Sequence, residues 1–210
     1  PSPGAPPEPP PVPPSPPHGS QYRFVFTAVR GPIADGIQLA DVFLYGEDED
    51  GAYQNATIVF ADNPGRHDTS NDQQEPRPNL YDGNPATKWF DANLANAYGS
   101  QPSTVVFYLD PPLRLTFYEF VTGNDNPHRD PTSWTLSRLT NNVPHLLSEV
   151  TDFSPPDERG APYGHAACGT AVSMWVQPLA SSSSRGDVWL WAALHITKEP
   201  PSHGGRAAIG

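Results

Sequence analysis

An all-β fold of two packed antiparallel sheets is what this sequence predicts, and three observations predict it. Of the 28 prolines, 17 lie beyond residue 20, spread where a helix interior would not tolerate them. From Tyr22 onward, short runs rich in β-branched and aromatic residues alternate with loops of Gly, Pro, Asn and Asp, the pattern of a sandwich or barrel. In the first run Tyr22, Phe24, Phe26 and Ala28 share one face of a period-2 strand, while Arg23 and Thr27 look outward.

Taken in order, residues 1–20 carry the other 11 prolines, with serine and little else. They offer no apolar surface to bury and are expected to form an extended polyproline II stalk, a spacer. Strands are expected at 22–30, 37–45, 56–61, 103–109, 115–121, 132–139, 145–150, 170–176 and 187–196. The last is apolar without a clear period and reads as a doubly buried strand or a helix; its β-branched and aromatic residues favour strand. Residues 86–98 read as loop or as one or two helical turns, and their three asparagine and aspartate residues favour loop. One domain over 21–197 and a flexible tail at 198–210 complete the layout.

Charge narrows the function classes. A formal net charge of −11 removes the attraction on which nucleic-acid and anionic-membrane binding depend, so neither partner is expected. No apolar run approaches the roughly 18 residues of a membrane span. The lone Cys168 excludes an internal disulfide and a zinc–cysteine cluster, and reads as a small buried apolar residue.

Three segments, in order, carry a family resemblance: Asn79-Leu80-Tyr81-Asp82-Gly83-Asn84-Pro85-Ala86-Thr87-Lys88-Trp89, then Ser103-Thr104-Val105-Val106-Phe107-Tyr108-Leu109-Asp110, then the stretch from Gly123 to Leu136 with Arg129-Asp130-Pro131-Thr132-Ser133-Trp134 inside it. The chain thereby resembles the discoidin, or F5/8 type C, family over roughly residues 22 to 165. The resemblance implies a galactose-binding-like jelly-roll sandwich with loops clustered at one end. Two features depart from the family pattern: a terminal cysteine pair is absent, and Thr140-Asn141-Asn142-Val143 replaces the usual glycine-containing turn. The Pro-Pro-Ser-Pro-Pro run at 13–17 resembles the hydroxyproline-rich glycoproteins of plant and green-algal cell walls, with a generic linker as the plainer reading.

The 81–87 loop is the metal candidate. Asp82, Asn84 and Thr87 supply side-chain oxygens within a tight turn, as a hard cation such as calcium requires. The resemblance implies a structural calcium at this loop, closed by an acid from a neighbouring strand, for which Asp41 is the candidate. The alternative is an Asx-turn in which Asp82 bonds its own backbone. In the 124–131 loop His128 and Arg129 are candidate donors to sugar hydroxyls, although Arg129 and Asp130 also read as a structural ion pair. Tyr98 and Phe90 are candidates for stacking on a sugar, and Trp134 is expected in the core. Asn55-Ala56-Thr57 is an N-glycosylation acceptor.

No phosphate loop, His-Glu-x-x-His or Gly-x-Ser-x-Gly appears, and the seven histidines are scattered, so no catalytic residue is assigned. The expectation is an extracellular or cell-surface binding or adhesion module that recognises a glycan or a cell-surface or matrix protein. The rival expectation is a structural subunit of an extracellular filament, matrix or glycoprotein assembly.

Overall fold

The computed structural model describes residues 19–31, 35–66, 75–94, 101–168 and 175–176. Among them are twelve strands: β1 (Ser20–Val29), β2 (Ile37–Leu39), β3 (Asp41–Glu47), β4 (Tyr53–Asn55), β5 (Ile58–Asp62), β6 (Trp89–Asp91), β7 (Ser103–Leu109), β8 (Arg114–Val121), β9 (Pro131–Thr140), β10 (Val143–Val150), β11 (His165–Ala167) and β12 (Trp175–Val176). They form one five-stranded sheet in the order β10-β9-β1-β7-β5, a second in the order β12-β11-β8-β3-β4, and a two-stranded β2-β6 ribbon. Every pairing is antiparallel. Among the described residues no helix is long and apolar enough to cross a membrane.

The alternation in β1 sets the register of the whole first sheet. Tyr22, Phe24 and Phe26 are buried, and their cross-strand partners Phe107, Val105 and Leu136 are buried with them. The two five-stranded sheets meet face to face: Phe24 of β1 packs edge-on against Tyr118 and Phe120 of β8, with ring centroids 5.2 and 5.3 Å apart. This is an all-β sandwich. Trp134 lies inside it as expected; its indole N–H donates to the Tyr118 hydroxyl at 2.9 Å, and that hydroxyl also meets Ser148 Oγ at 3.2 Å. A buried aromatic core therefore keeps its polar atoms paired.

Several expected elements change shape. The run 37–45 is two strands, because the chain leaves its pairing with β6 after Leu39 and joins β8 from Asp41. Between them, Ala40 N–H donates to Val121 O at 3.0 Å. The run 56–61 begins only at Ile58: Ala56 N–H still bonds Leu44 O of β3, while Thr57 O accepts from Asp110 N–H, so these two residues cross from one sheet to the other. Residues 89–91, expected as loop, are strand β6, followed by a 3₁₀ turn at Ala92–Leu94. Strand β11 was not expected. The turn Thr140-Asn141-Asn142-Val143 closes the β9–β10 hairpin with φ of 52° and 63° at its two central asparagines, the left-handed pair that a two-residue hairpin loop demands. Of the strand expected at 170–176 only β12 is described; the stretches 1–18, 187–196 and 198–210 lie outside the described residues.

Candidate functional site

The site is a rim where four loops converge, 35–38, 75–94, 122–131 and 155–160. A 3₁₀ turn, Arg77–Tyr81, delivers the chain into the 82–88 loop, and Leu80 on it is buried. Asp82 then organises that loop. Its Oδ1 accepts from Asn84 N–H at 2.8 Å, its Oδ2 from Thr87 Oγ1 at 2.8 Å, and Asn84 Oδ1 accepts from Ala86 N–H at 3.1 Å. The Asx-turn reading is realised directly, with both Asp82 oxygens engaged by the chain itself. Gly83 sits at φ +69°, in the left-handed region that suits glycine.

Asp41 reaches the same loop from the first residue of β3. Its Oδ1 accepts from Gly83 N–H at 2.9 Å, and the residue is 1% exposed. Burial pushes this carboxyl up to about 6, and the nearby charge of Asp82 adds to the rise. The four sequence candidates for a cation therefore gather in one place, three within the loop and Asp41 beneath it. A cleft of about 290 Å³ runs alongside, with Tyr81, Asp82 and Gly83 on one wall and Asn55 on another. Among the described residues no group of three or more His, Cys, Asp or Glu side chains is placed to hold a metal. A hard cation here would draw on Asp41, Asp82 and the oxygens of the loop backbone.

Lys88 ties this loop to its neighbour. It is buried, and its Nζ donates to Glu75 Oε1 at 3.0 Å, Asp125 Oδ2 at 2.5 Å and Asn124 Oδ1 at 3.1 Å. Asn124 Nδ2 returns a bond to Ala86 O at 2.5 Å. Burial pushes the Asp125 carboxyl up, but Lys88 and the Asn126 N–H outweigh it and hold it below the usual carboxylate range.

Arg129 makes the second clamp. Its Nε and Nη2 donate to the two Asp35 oxygens at 2.6 and 2.7 Å, and its guanidinium lies over the Phe90 ring at 4.6 Å. Asp35 is held below its ordinary range by this partner, and Arg129 is raised in turn. The expected Arg129–Asp130 pair is not formed. Asp130 has extended backbone, so adjacent side chains diverge. Asp130 turns inward, fully buried, to Arg159 at 2.9 and 2.8 Å and to Arg30 at 3.4 Å.

The ligand candidates separate accordingly. Phe90, 4% exposed and capped by Arg129, is a platform for the guanidinium and leaves no open ring face. His128 is exposed on its 3₁₀ turn; its backbone N–H donates to Asn126 Oδ1 at 3.1 Å, and its imidazole makes no hydrogen bond among the described residues. Tyr98 lies outside the described residues. Asn55 is exposed on β4, paired with Tyr45, so its side chain is open to modification.

Sequence reasoning missed Lys88, Gln38 and Asp35. Gln38 is fully buried in β2 and its Nε2 donates to Asn126 O at 2.8 Å. The available signal was a lysine placed immediately before a core tryptophan in a strongly acidic chain, since so few cations must each have a carboxylate within reach. No family model, curated protein or solved structure matches this chain.

Proposed function

We propose that this protein is an extracellular, non-catalytic binding or adhesion module of the discoidin-like, galactose-binding-like jelly-roll type, whose rim takes up a neutral glycan. One observation carries the reading: the 35–38, 75–94 and 122–131 loops are locked together by Lys88 and Arg129, and His128 is exposed on that rigid frame with no hydrogen bond to its imidazole among the described residues. Fixed loops displaying a few polar groups are what sugar recognition needs, because little ordering remains to oppose binding. Calcium is the proposed stiffener of the adjoining 82–87 loop, and Asn55 the proposed glycan acceptor.

A glycan array probed with the full chain, with and without calcium, tests this. Binding to a neutral glycan that falls about tenfold in His128→Ala, the loss of about 1.4 kcal/mol, at unchanged melting temperature supports it. An array without hits, or hits indifferent to His128→Ala, removes it.

A second reading, a structural subunit of an extracellular assembly, is favoured by the β9–β10 hairpin, where Val143 and Leu146 are 55% and 61% exposed on an edge strand. Sedimentation of the full chain discriminates: concentration-dependent growth that Leu146→Lys abolishes supports assembly, and a monomer throughout removes it.

A further inference from the structure

We propose that the outer face of the second sheet seats the first sugar of a glycan carried on Asn55, and that Tyr45 and Tyr53 are the rings it lies against. This rests on Asn55 being the glycan acceptor, as proposed above. The register brings the three side chains together: Asn55 of β4 stands directly opposite Tyr45 of β3, and Tyr53 lies two residues before it on the same strand. Residues directly opposite share a face of the sheet, and so do residues i and i+2 of one strand. That face is the outer one, because Leu44, between Phe43 and Tyr45, is buried in the core. Thr57, the third residue of the acceptor triplet, is exposed as well.

The rings are open to a ligand. Tyr53 is 46% exposed, and its ring runs parallel to that of Tyr45 within 4° at a centroid separation of 6.5 Å. At that separation neither ring covers the other, since carbons in contact lie about 3.5 to 4 Å apart. Among the described residues no cation lies over either ring; the cation–ring contacts are Arg77 on Phe60 and Arg129 on Phe90. Glu47, opposite Tyr53, is held by Arg114.

Sugar chemistry matches this surface. A pyranose has one face of C–H groups that packs on an aromatic ring, and an edge of hydroxyls and acetamide that wants hydrogen-bond partners. The Tyr45 hydroxyl makes no hydrogen bond among the described residues. Burial, then the charge of Glu119, pushes it up to about 12, so it keeps its proton to donate. Beyond Tyr45 the surface continues to His165, whose ring centroid is 5.3 Å away and whose Nε2 is 3.7 Å from Glu119 Oε2. Polar groups thus border the two tyrosines on the β8 side.

Attachment sets the geometry. Opposed Cβ atoms in an antiparallel pair lie about 4.5 to 5.5 Å apart and diagonal ones about 7 to 8 Å, so a sugar bonded to Asn55 Nδ2 starts within reach of both tyrosines. Tethering raises its effective concentration to about the millimolar range, enough for a contact too weak to hold a free monosaccharide. β4 is the outermost strand of its sheet, and a glycan held flat there shields an edge that could otherwise pair with another chain.

The full chain secreted from a glycosylating eukaryotic host tests this. Mass spectrometry of the Asn55 peptide reads occupancy, and an endoglycosidase then trims the glycan to its first N-acetylglucosamine. By calorimetry the trimmed protein is expected to melt about 2 to 4 °C above Asn55→Gln. In a Tyr53→Ala background that gain should fall below about 1 °C, whereas Tyr53→Phe should keep it. Should Tyr53→Ala fail to fold, Overhauser contacts between the sugar and the two tyrosine rings of the trimmed protein decide. An unmodified Asn55 peptide removes the acceptor and this inference with it. A sugar on Asn55 that adds no stability, adds it equally without Tyr53, or touches neither ring overturns the seat alone.

Discussion

Replacing Lys88 by methionine removes one ammonium and keeps most of the stem, so it isolates the charge that joins the two rim loops. The lysine side chain is 8% exposed and Glu75 16%, and Glu75 Oε2 is buried with no hydrogen-bond partner among the described residues. Taking away the cation therefore strands a mostly dehydrated carboxylate, an error that costs about 3 to 5 kcal/mol for fully buried pairs. The residual exposure of Glu75 and the 52% exposure of Asp125 place this case at the lower end, about 3 kcal/mol. For a domain of this size each kcal/mol shifts melting by about 2 to 4 °C, so Lys88→Met should melt about 6 to 12 °C lower by calorimetry. The decisive measurement is the double-mutant cycle with Glu75→Gln. Once the carboxylate is neutral, loss of the lysine should matter much less, giving a coupling of about 2 kcal/mol. If the two losses add to within about 0.5 kcal/mol, the ion pair is not what holds the loops, and the rigid-rim argument fails with it.

Three further outcomes follow from particular side chains. Because the folded Asp41 carboxyl titrates at about 6 against an ordinary 3.8, the folded state keeps its proton longer than the unfolded chain, so stability in chelator should fall as pH rises from about 4 to 6. Linkage caps the fall at about 3 kcal/mol; Asp41→Asn should flatten the urea midpoint over that range, and an unchanged slope would show that another group titrates. Calcium at about 100 times its dissociation constant should stabilise the protein at pH 7 by about 2.7 kcal/mol, with the gain lost in Asp82→Ala; no thermal shift in millimolar calcium rejects a cation at this loop. Trp134→Ala should cost about 3 to 5 kcal/mol, since it empties a core site and leaves the Tyr118 hydroxyl with Ser148 alone; a loss under about 1 kcal/mol contradicts the packing.

The strands that could be read from sequence are those whose two faces differ. β1 alternates buried and less buried residues over Ser20–Phe26, so Phe24 was placed correctly from period. β6 is different in kind: Trp89, Phe90 and Asp91 are all buried, so no alternation exists to read, and asparagine and aspartate nearby argued for loop. Asp91 belongs there because its carboxylate accepts from Asn93 N–H two residues on and from Asn63 and Ser103, which folding brings in from farther along the chain. The break at Ala40 was hidden for a related reason. Residues 37–42 are continuously apolar or buried, and only the identity of the neighbouring strand, β6 before and β8 after, divides them.

Site residues were legible where bonding is local and illegible where it is not. Asp82, Asn84 and Thr87 satisfy one another within six residues, and their spacing alone pointed to a turn. Arg129 bonds Asp35, 94 positions away, and Asp130 bonds Arg159 and Arg30, so adjacency suggested the wrong pair. The corrected pairing changes the electrostatics of the rim. Among the described residues, Arg30, Arg77, Lys88, Arg129 and Arg159 at or beside the rim are each paired with a carboxylate, whereas Asp35, Asp125 and Asp157 remain 63%, 52% and 100% exposed. An incoming phosphate or sulfate would meet these outward carboxylates, and to be held by Arg30, Lys88, Arg129 or Arg159 would have to break a formed ion pair. A neutral sugar faces no such opposition, because carboxylates and an imidazole accept and donate hydrogen bonds to hydroxyls without a charge to balance. The same acidity favours a divalent cation nearby. The charge pattern of the rim thus supports the proposal of an uncharged ligand, and it does so through residues whose partners only the fold reveals.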